Sequence, residues 1–308
     1  MIVEMNTDNK TEKAQKVYVN NIPTQKELKV FLKDLKALDL HQIIVNNALE
    51  IAKELPQIEA ILLLGSLAIN TADIFSDIDF YVVIKEKGEL NQIKNHFLQN
   101  LSNIGTPIHI FSSNAYPNSS IIYFKPFIKF ELVIEDYDKL VRNWRVGKVA
   151  QLLYDRNGLG AQAMLVAKEL EFKLEKYELE IKNVAIELPS FCFNIAGYML
   201  RGEHITSIDF IAWIRRLLLR ICGFFLGLWD EGTRRAELRF PNEVLNYYHR
   251  CLVKNVEEIW QILSNILDWY SDWLVPHFER HNIPHVNAEV PNIRYLLHEA
   301  EIIYTAKP

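Results

Sequence analysis

Asp77 and Asp79 stand two residues apart in the segment SDIDF, and Gly65-Ser66 lies ten residues upstream. On a strand, side chains alternate between faces, so the two carboxylates share one face while Ile78 and Phe80 take the other. Two carboxylates held that close beside an apolar core need a positive partner. A divalent cation is the natural one: Mg²⁺ takes oxygen ligands, commonly one or two carboxylates with phosphate oxygens and water. Gly65 lets a phosphate approach the backbone closely, and Ser66 adds a hydroxyl donor. The chemistry these residues suit is metal-assisted handling of phosphate. The bland alternative is a surface strand whose aspartates only aid solubility.

The elements that must hold them are short. ILLL at 61–64 and FYVVI at 80–84 are apolar runs bounded by turn residues, which predicts strand, loop, strand over 61–84. Gly-Ser, ten residues, then Asp-Ile-Asp among apolar neighbours resembles the signature of the DNA polymerase β-like nucleotidyltransferase superfamily. The longer string GSLAINTADIFSDIDFYVV is most similar to the branch that includes aminoglycoside and lincosamide nucleotidyltransferases. Asn70 departs from that branch, which often has Gly there, but Asn tolerates a left-handed backbone better than most residues.

The resemblance implies a third carboxylate on a later strand, often a Glu acting as general base. IKFELVIE at 128–135 alternates cleanly, with Ile128, Phe130, Leu132 and Ile134 on one face and Lys129, Glu131 and Val133 on the other. Glu131 matches the expected position and could accept a proton from an acceptor hydroxyl. A solvated Glu on a half-exposed strand is the alternative. The resemblance thus implies Asp77, Asp79 and Glu131 as catalytic and metal-binding residues, with Mg²⁺ as cofactor and ATP or another NTP as co-substrate. Gly65 and Ser66 would hold the triphosphate. The implied reaction moves a nucleoside monophosphate, AMP from ATP foremost, onto a hydroxyl of a small molecule, with aminoglycoside- and lincosamide-type antibiotics among the acceptors. The second reading is a non-catalytic NTP-binding regulatory or antitoxin-like module acting through a protein partner.

A chain of 308 residues suggests two domains. A net charge of −5 argues against a protein that grips long nucleic acid through its phosphates. Cys192, Cys222 and Cys251 are scattered with no CxxC, which reads as reduced thiols of a cytoplasmic protein. The N-terminus lacks an apolar signal core, and the longest apolar candidate, 217–229, is interrupted by Arg220, so no membrane association is expected.

In chain order, residues 1–22 are polar and read as a flexible arm. Pro23 and Thr24 open a helix that places Leu28, Phe31, Leu32, Leu35 and Leu38 on one side, and a second helix spans 40–55. An amphipathic helix over 89–101 precedes strands over 106–111 and 118–134, the latter bent at Pro126. LLYDRNG at 152–158 reads as a strand entering a turn, with Asp155 as its cap. From 161 the pattern is helical: one or two helices over 161–187, then 191–200, a break at Arg201-Gly202, and helices over 207–228, 242–250, 256–279 and 293–304. The predicted fold class is α+β: a nucleotidyltransferase-type mixed sheet with flanking helices over 23–160, then an all-α helical substrate-binding domain over 161–308.

Three side constellations remain. Arg215 and Arg216, or Arg234, Arg235 and Arg239, offer guanidinium forks suited to a triphosphate, with interhelix ion pairing as the alternative. His277 and His281 share a helix face and could bind Zn²⁺, although Pro284 intervenes before His285. Trp213, Trp229, Trp260, Trp269 and Trp273 could line an acceptor pocket or simply fill a bundle core. The sequence names neither the acceptor nor an oligomeric state.

Overall fold

The two apolar runs flanking Gly65-Ser66 and the aspartates become neighbouring antiparallel inner strands of a sheet. A computed structural model describes residues 2–4, 16–112 and 118–306. The strands are β1 (Ile2–Glu4), β2 (Lys16–Tyr18), β3 (Ile58–Leu64), β4 (Ile78–Ile84), β5 (Pro107–Ser112), β6 (Ser119–Phe124), β7 (Ile128–Asp136) and β8 (Ala150–Asp155). They form one sheet in the order β1-β2-β5-β6-β7-β4-β3-β8. The β4–β7 pair is parallel and the others are antiparallel, so the sheet is mixed as predicted.

Alternation gives the sheet two unlike faces. Ile78, Phe80, Val82 and Ile84 of β4 join Phe130, Leu132 and Ile134 of β7 in a core covered by the helices Asp39–Lys53 and Leu90–Gln99. Each such buried side chain contributes about 2 kcal/mol of transfer free energy. The opposite face buries Leu62, Leu64 and Val83 under Leu140, Val146, Ala163 and Ala167, which come from the helices Tyr137–Leu140, Trp144–Lys148 and Leu159–Lys168. A one-residue slip of β4 would exchange these faces, so its register is strongly specified.

The chain divides into two compact units, residues 1–170 and 171–308. The helix Leu159–Lys168 starts close to the 161 read from periodicity but lies in the first unit, so the unit boundary falls about ten residues later. Asp155 starts that helix as expected: its carboxylate accepts from the Gly160 and Ala161 amides at 3.2 and 2.8 Å. The arm over 1–22 is not wholly loose, because β2 pairs with β5 through backbone hydrogen bonds that polarity patterning does not report. Residues 1 and 5–15 of that arm lie outside the described residues. The first helix is shorter than predicted. Thr24 and Glu27 close a capping box, but the helix ends at Phe31 and leaves Leu32 and Leu35 exposed.

The second unit is all helical apart from its connections. Its long helices Glu178–Leu200, His204–Phe225 and Val290–Thr305 share one core with Trp260, Trp269 and Trp273. The segments 161–187 and 191–200 were expected as separate helices; beyond Tyr177 they run as one, with Pro189 buried inside it. All three cysteines are buried thiols in this core. No described helix is long and apolar enough to cross a membrane.

Candidate active site

Antiparallel β3–β4 pairing and parallel β4–β7 pairing bring three chain segments to one end of the sheet. Leu64, the last residue of β3, is the Cα partner of Asp79, and Asp79 is in turn the partner of Glu131. Gly65-Ser66 therefore emerges beside Asp79, and Asp77 lies just before β4. Asp79 is buried, while Asp77 and Glu131 are partly covered. The sheet thus places Gly65, Ser66, Asp77, Asp79 and Glu131 at one edge.

Gly65 has no room for a side chain. Its φ is +79°, and a Cβ there would fall 2.6 Å from Asp79 Oδ2. The turn that follows is closed by the Thr71 amide donating to the Ser66 carbonyl at 2.9 Å, and Asn70 adopts a φ of 56°, the left-handed backbone anticipated for it. The next loop is tied by the Phe75 amide on Asp73 Oδ1 at 2.9 Å and the Asp73 amide on Ser76 Oγ at 3.0 Å. His41, fully buried on the helix Asp39–Lys53, places Nε2 3.1 Å from the Ser76 carbonyl and so anchors the residue before Asp77.

Cations balance the carboxylates. Lys129 Nζ donates to Asp77 Oδ2 at 2.7 Å and lies 3.7 Å from Glu131 Oε2. Arg145 Nη2 lies 3.3 Å from Asp79 Oδ2. Burial raises the Glu131 pKa above the ordinary carboxylate range; Lys129 opposes this, while Asp79 and Asp77 add to it. Burial works against the Lys129 ammonium, yet its hydrogen bond to Asp77 and the fields of Asp77, Glu131 and Asp79 carry its pKa above the usual value.

Sequence reading assigned Lys129 to the Glu131 face but gave it no role, and passed over Arg145 and His41. Two-residue spacing from Glu131 is the signal that could have found Lys129. Arg145 has no periodic signal, because its place depends on Asn143 capping a five-residue helix before β8.

Asp77, Asp79 and Glu131 offer hard carboxylate oxygens on adjoining strands, and their mutual repulsion is relieved by positive charge. Carboxylate oxygens are the donor type that Mg²⁺ takes. Among the described residues no three His, Cys, Asp or Glu side chains are gathered as a ready metal cage; at this edge the Lys129 ammonium and Arg145 guanidinium stand among the carboxylates.

Residues 46–139 match the family model described as Polymerase beta, Nucleotidyltransferase. The chain contains a nucleotidyltransferase domain. Its matched stretch holds Gly65, Ser66, Asp77, Asp79, Lys129 and Glu131, and Arg145 lies six residues beyond its end. Among solved structures, an aminoglycoside 6-adenyltransferase from Bacillus subtilis is similar at 14% identity, over 85% of this chain and 98% of that one, with a TM-score of 0.38. A nucleotidyltransferase-like protein from Exiguobacterium sibiricum 255-15 is similar at 12% identity, over 86% and 91%, with a TM-score of 0.38. A spectinomycin adenyltransferase from Enterococcus faecialis, solved with ATP and spectinomycin, is similar at 11% identity, over 85% and 98%, with a TM-score of 0.34. No curated protein sequence gives a significant match.

The remaining expected site residues belong to the second unit, 171–308. Arg215 is engaged there, with its guanidinium 4.8 Å from the Tyr248 ring centroid and Nη1 3.4 Å from the Cys251 carbonyl. Arg216 is exposed. Arg239 donates to the Trp229 and Arg234 carbonyls at 2.7 and 3.1 Å and so braces a loop. His277 Nδ1 is 2.8 Å from the Trp273 carbonyl and its ring stacks on Trp273, while His281 packs on Phe225. These are packing arrangements.

Proposed function

We propose that this nucleotidyltransferase moves AMP from ATP onto a hydroxyl of a small molecule, with pyrophosphate as leaving group. The reading is carried by the register of Asp79 against Glu131 on parallel strands, with the Gly65 backbone pressed against Asp79. A carboxylate pair in register beside a side-chain-free turn suits a phosphate and a cation.

The acceptor oxygen forms a bond to the α-phosphorus as the bond to the bridging β-phosphate oxygen breaks. Glu131 accepts the hydroxyl proton. Gly65 and Ser66 hold phosphate oxygens through close backbone approach and a hydroxyl. Arg145, beside Gly65 and Asp79, supplies a guanidinium to the phosphates that leave. Mg²⁺, when bound by Asp77, Asp79 and Glu131, supplies neutralisation of the charge that builds on the transferred phosphoryl group. Of the Arg215–Arg216 pair, Arg216 is exposed on its helix and Arg215 is already held within its own unit. The protein works in the cytoplasm. Aminoglycoside- and lincosamide-type antibiotics are two classes for the acceptor panel.

Incubation with α-labelled ATP, Mg²⁺ and a panel of antibiotics, followed by a metabolite extract, tests this. Labelled acceptor and pyrophosphate release, both absent in Asp79→Asn, are expected. Tight ATP binding without release for any acceptor would favour the NTP-binding regulatory module instead.

A further inference from the structure

A cavity of about 360 Å³ opens on the nucleotidyltransferase domain next to the carboxylate edge. That volume lies within the range of small-molecule pockets. Asp77 and Lys129 line it, and Lys129 also lies 3.7 Å from Glu131, so the cavity borders the carboxylate cluster. The rest of the lining is largely apolar. Leu32, Phe75 and Phe127 are 50%, 67% and 47% exposed, and Phe31 and Tyr123 are half-buried. Three large exposed apolar side chains around one concavity are apolar surface that a ligand would remove from water. Phe127 is held at a φ of 116°, a backbone that bulky residues rarely adopt. Such strain persists only where the surroundings determine it, and functional sites are where it gathers.

The charge balance of the cavity matters as much. Among the described residues Asp77 is its one lining carboxylate, and Lys129 already pairs it at 2.7 Å. A polycationic amino sugar would meet an Asp77 already paired with Lys129 and would desolvate its ammonium groups against phenyl rings. A neutral ring-bearing molecule would bury apolar surface and keep its hydroxyl at the polar end.

Resting on the transferase reading, we infer that the acceptor is a largely apolar, ring-bearing alcohol whose non-reacting body sits against Phe75 and Phe127, and that polycationic aminoglycosides are excluded. 2-Naphthol serves as the neutral probe and kanamycin as the polycationic one. Binding of each to the full chain is followed by saturation-transfer NMR, alongside pyrophosphate release with ATP and Mg²⁺. The expected result is 2-naphthol binding that Phe75→Ala weakens at least tenfold without changing ATP affinity, and no kanamycin binding at this site. Phe75 is largely exposed, so its truncation leaves the core intact, and Leu32→Ser repeats the test from the opposite element. Absence of 2-naphthol binding, or binding indifferent to both substitutions, overturns the inference. Kanamycin-dependent pyrophosphate release indifferent to Phe75→Ala also overturns it but leaves the transferase standing. Phe75-dependent 2-naphthol binding with no pyrophosphate release for any acceptor sinks the transferase reading and leaves the cavity as a site for such rings.

Discussion

Lys129 donates a 2.7 Å hydrogen bond to Asp77 from a position two residues before Glu131 on the neighbouring part of the sheet. A flexible cation thereby occupies the electrostatic place that a divalent ion would take.

Lys129→Met removes that cation and leaves Asp77 and Glu131 facing each other less screened. The variant should lose about 1 kcal/mol of stability in EDTA. Millimolar Mg²⁺ should restore it, so the melting temperature of the variant rises more with Mg²⁺ than that of the parent. Equal Mg²⁺ responses in the two proteins would place the ion elsewhere.

Asp79→Asn keeps side-chain volume and loses only charge. Turnover should fall by at least ~10²-fold, in line with the loss of a preorganised electrostatic group. The melting temperature should change little, because the amide oxygen can still accept from Arg145. Near-parental turnover would remove Asp79 from the chemistry.

Glu131→Gln should lower kcat by about 10²–10⁴-fold, the usual contribution of general base catalysis, with ATP affinity unaltered. Single-turnover rates and ATP titration separate the two quantities. A parallel loss of both would make Glu131 structural.

Gly65→Ala meets a φ of +79° and Asp79 Oδ2 at 2.6 Å. The left-handed backbone costs an L-residue about 1–2 kcal/mol. The carboxylate can swing away from the new methyl, so the fold survives while the site does not. Denaturant titration should show that modest loss, and transfer should drop far more than stability accounts for. A fully active variant would show that close approach at Gly65 is unimportant.

His41 gives a pH dependence. Burial holds its pKa below the ordinary value near 6.5, against the opposing pull of the Ser76 carbonyl and Asp73. Below about pH 6.5 the unfolded chain takes up a proton that the folded chain refuses. Stability is therefore complete above that pH and declines as pH falls toward the lower folded-state value. His41→Gln keeps a donor for Ser76 and lacks the titration. Its urea midpoint should fall less between pH 7.5 and 5.5 than that of the parent; matching slopes would assign the acid sensitivity to other groups.

Much of the edge was legible because period-2 alternation determines faces without reference to neighbours. Asp79, Phe80, Glu131 and Phe130 could each be assigned to a side from local sequence alone. The break at Arg201-Gly202 was also readable, since Gly202 takes the left-handed backbone that ends the helix. The continuity of Glu178–Leu200 through Pro189 was not, because the packing that holds a proline inside a helix is tertiary. Strand β2 escaped for a related reason: an edge strand is held by backbone pairing, to which side-chain polarity is nearly blind.

The sequence by itself determined the carboxylate types, their common face and the glycine turn, because these follow from residue chemistry and strand geometry within a few positions. Only the tertiary structure decided that Asp79 and Glu131 are register partners, that Lys129 and Arg145 neutralise the cluster, and that exposed phenyl rings gather beside it. Those relations join segments tens of residues apart, and they are fixed by strand pairing and core packing, which no local pattern encodes.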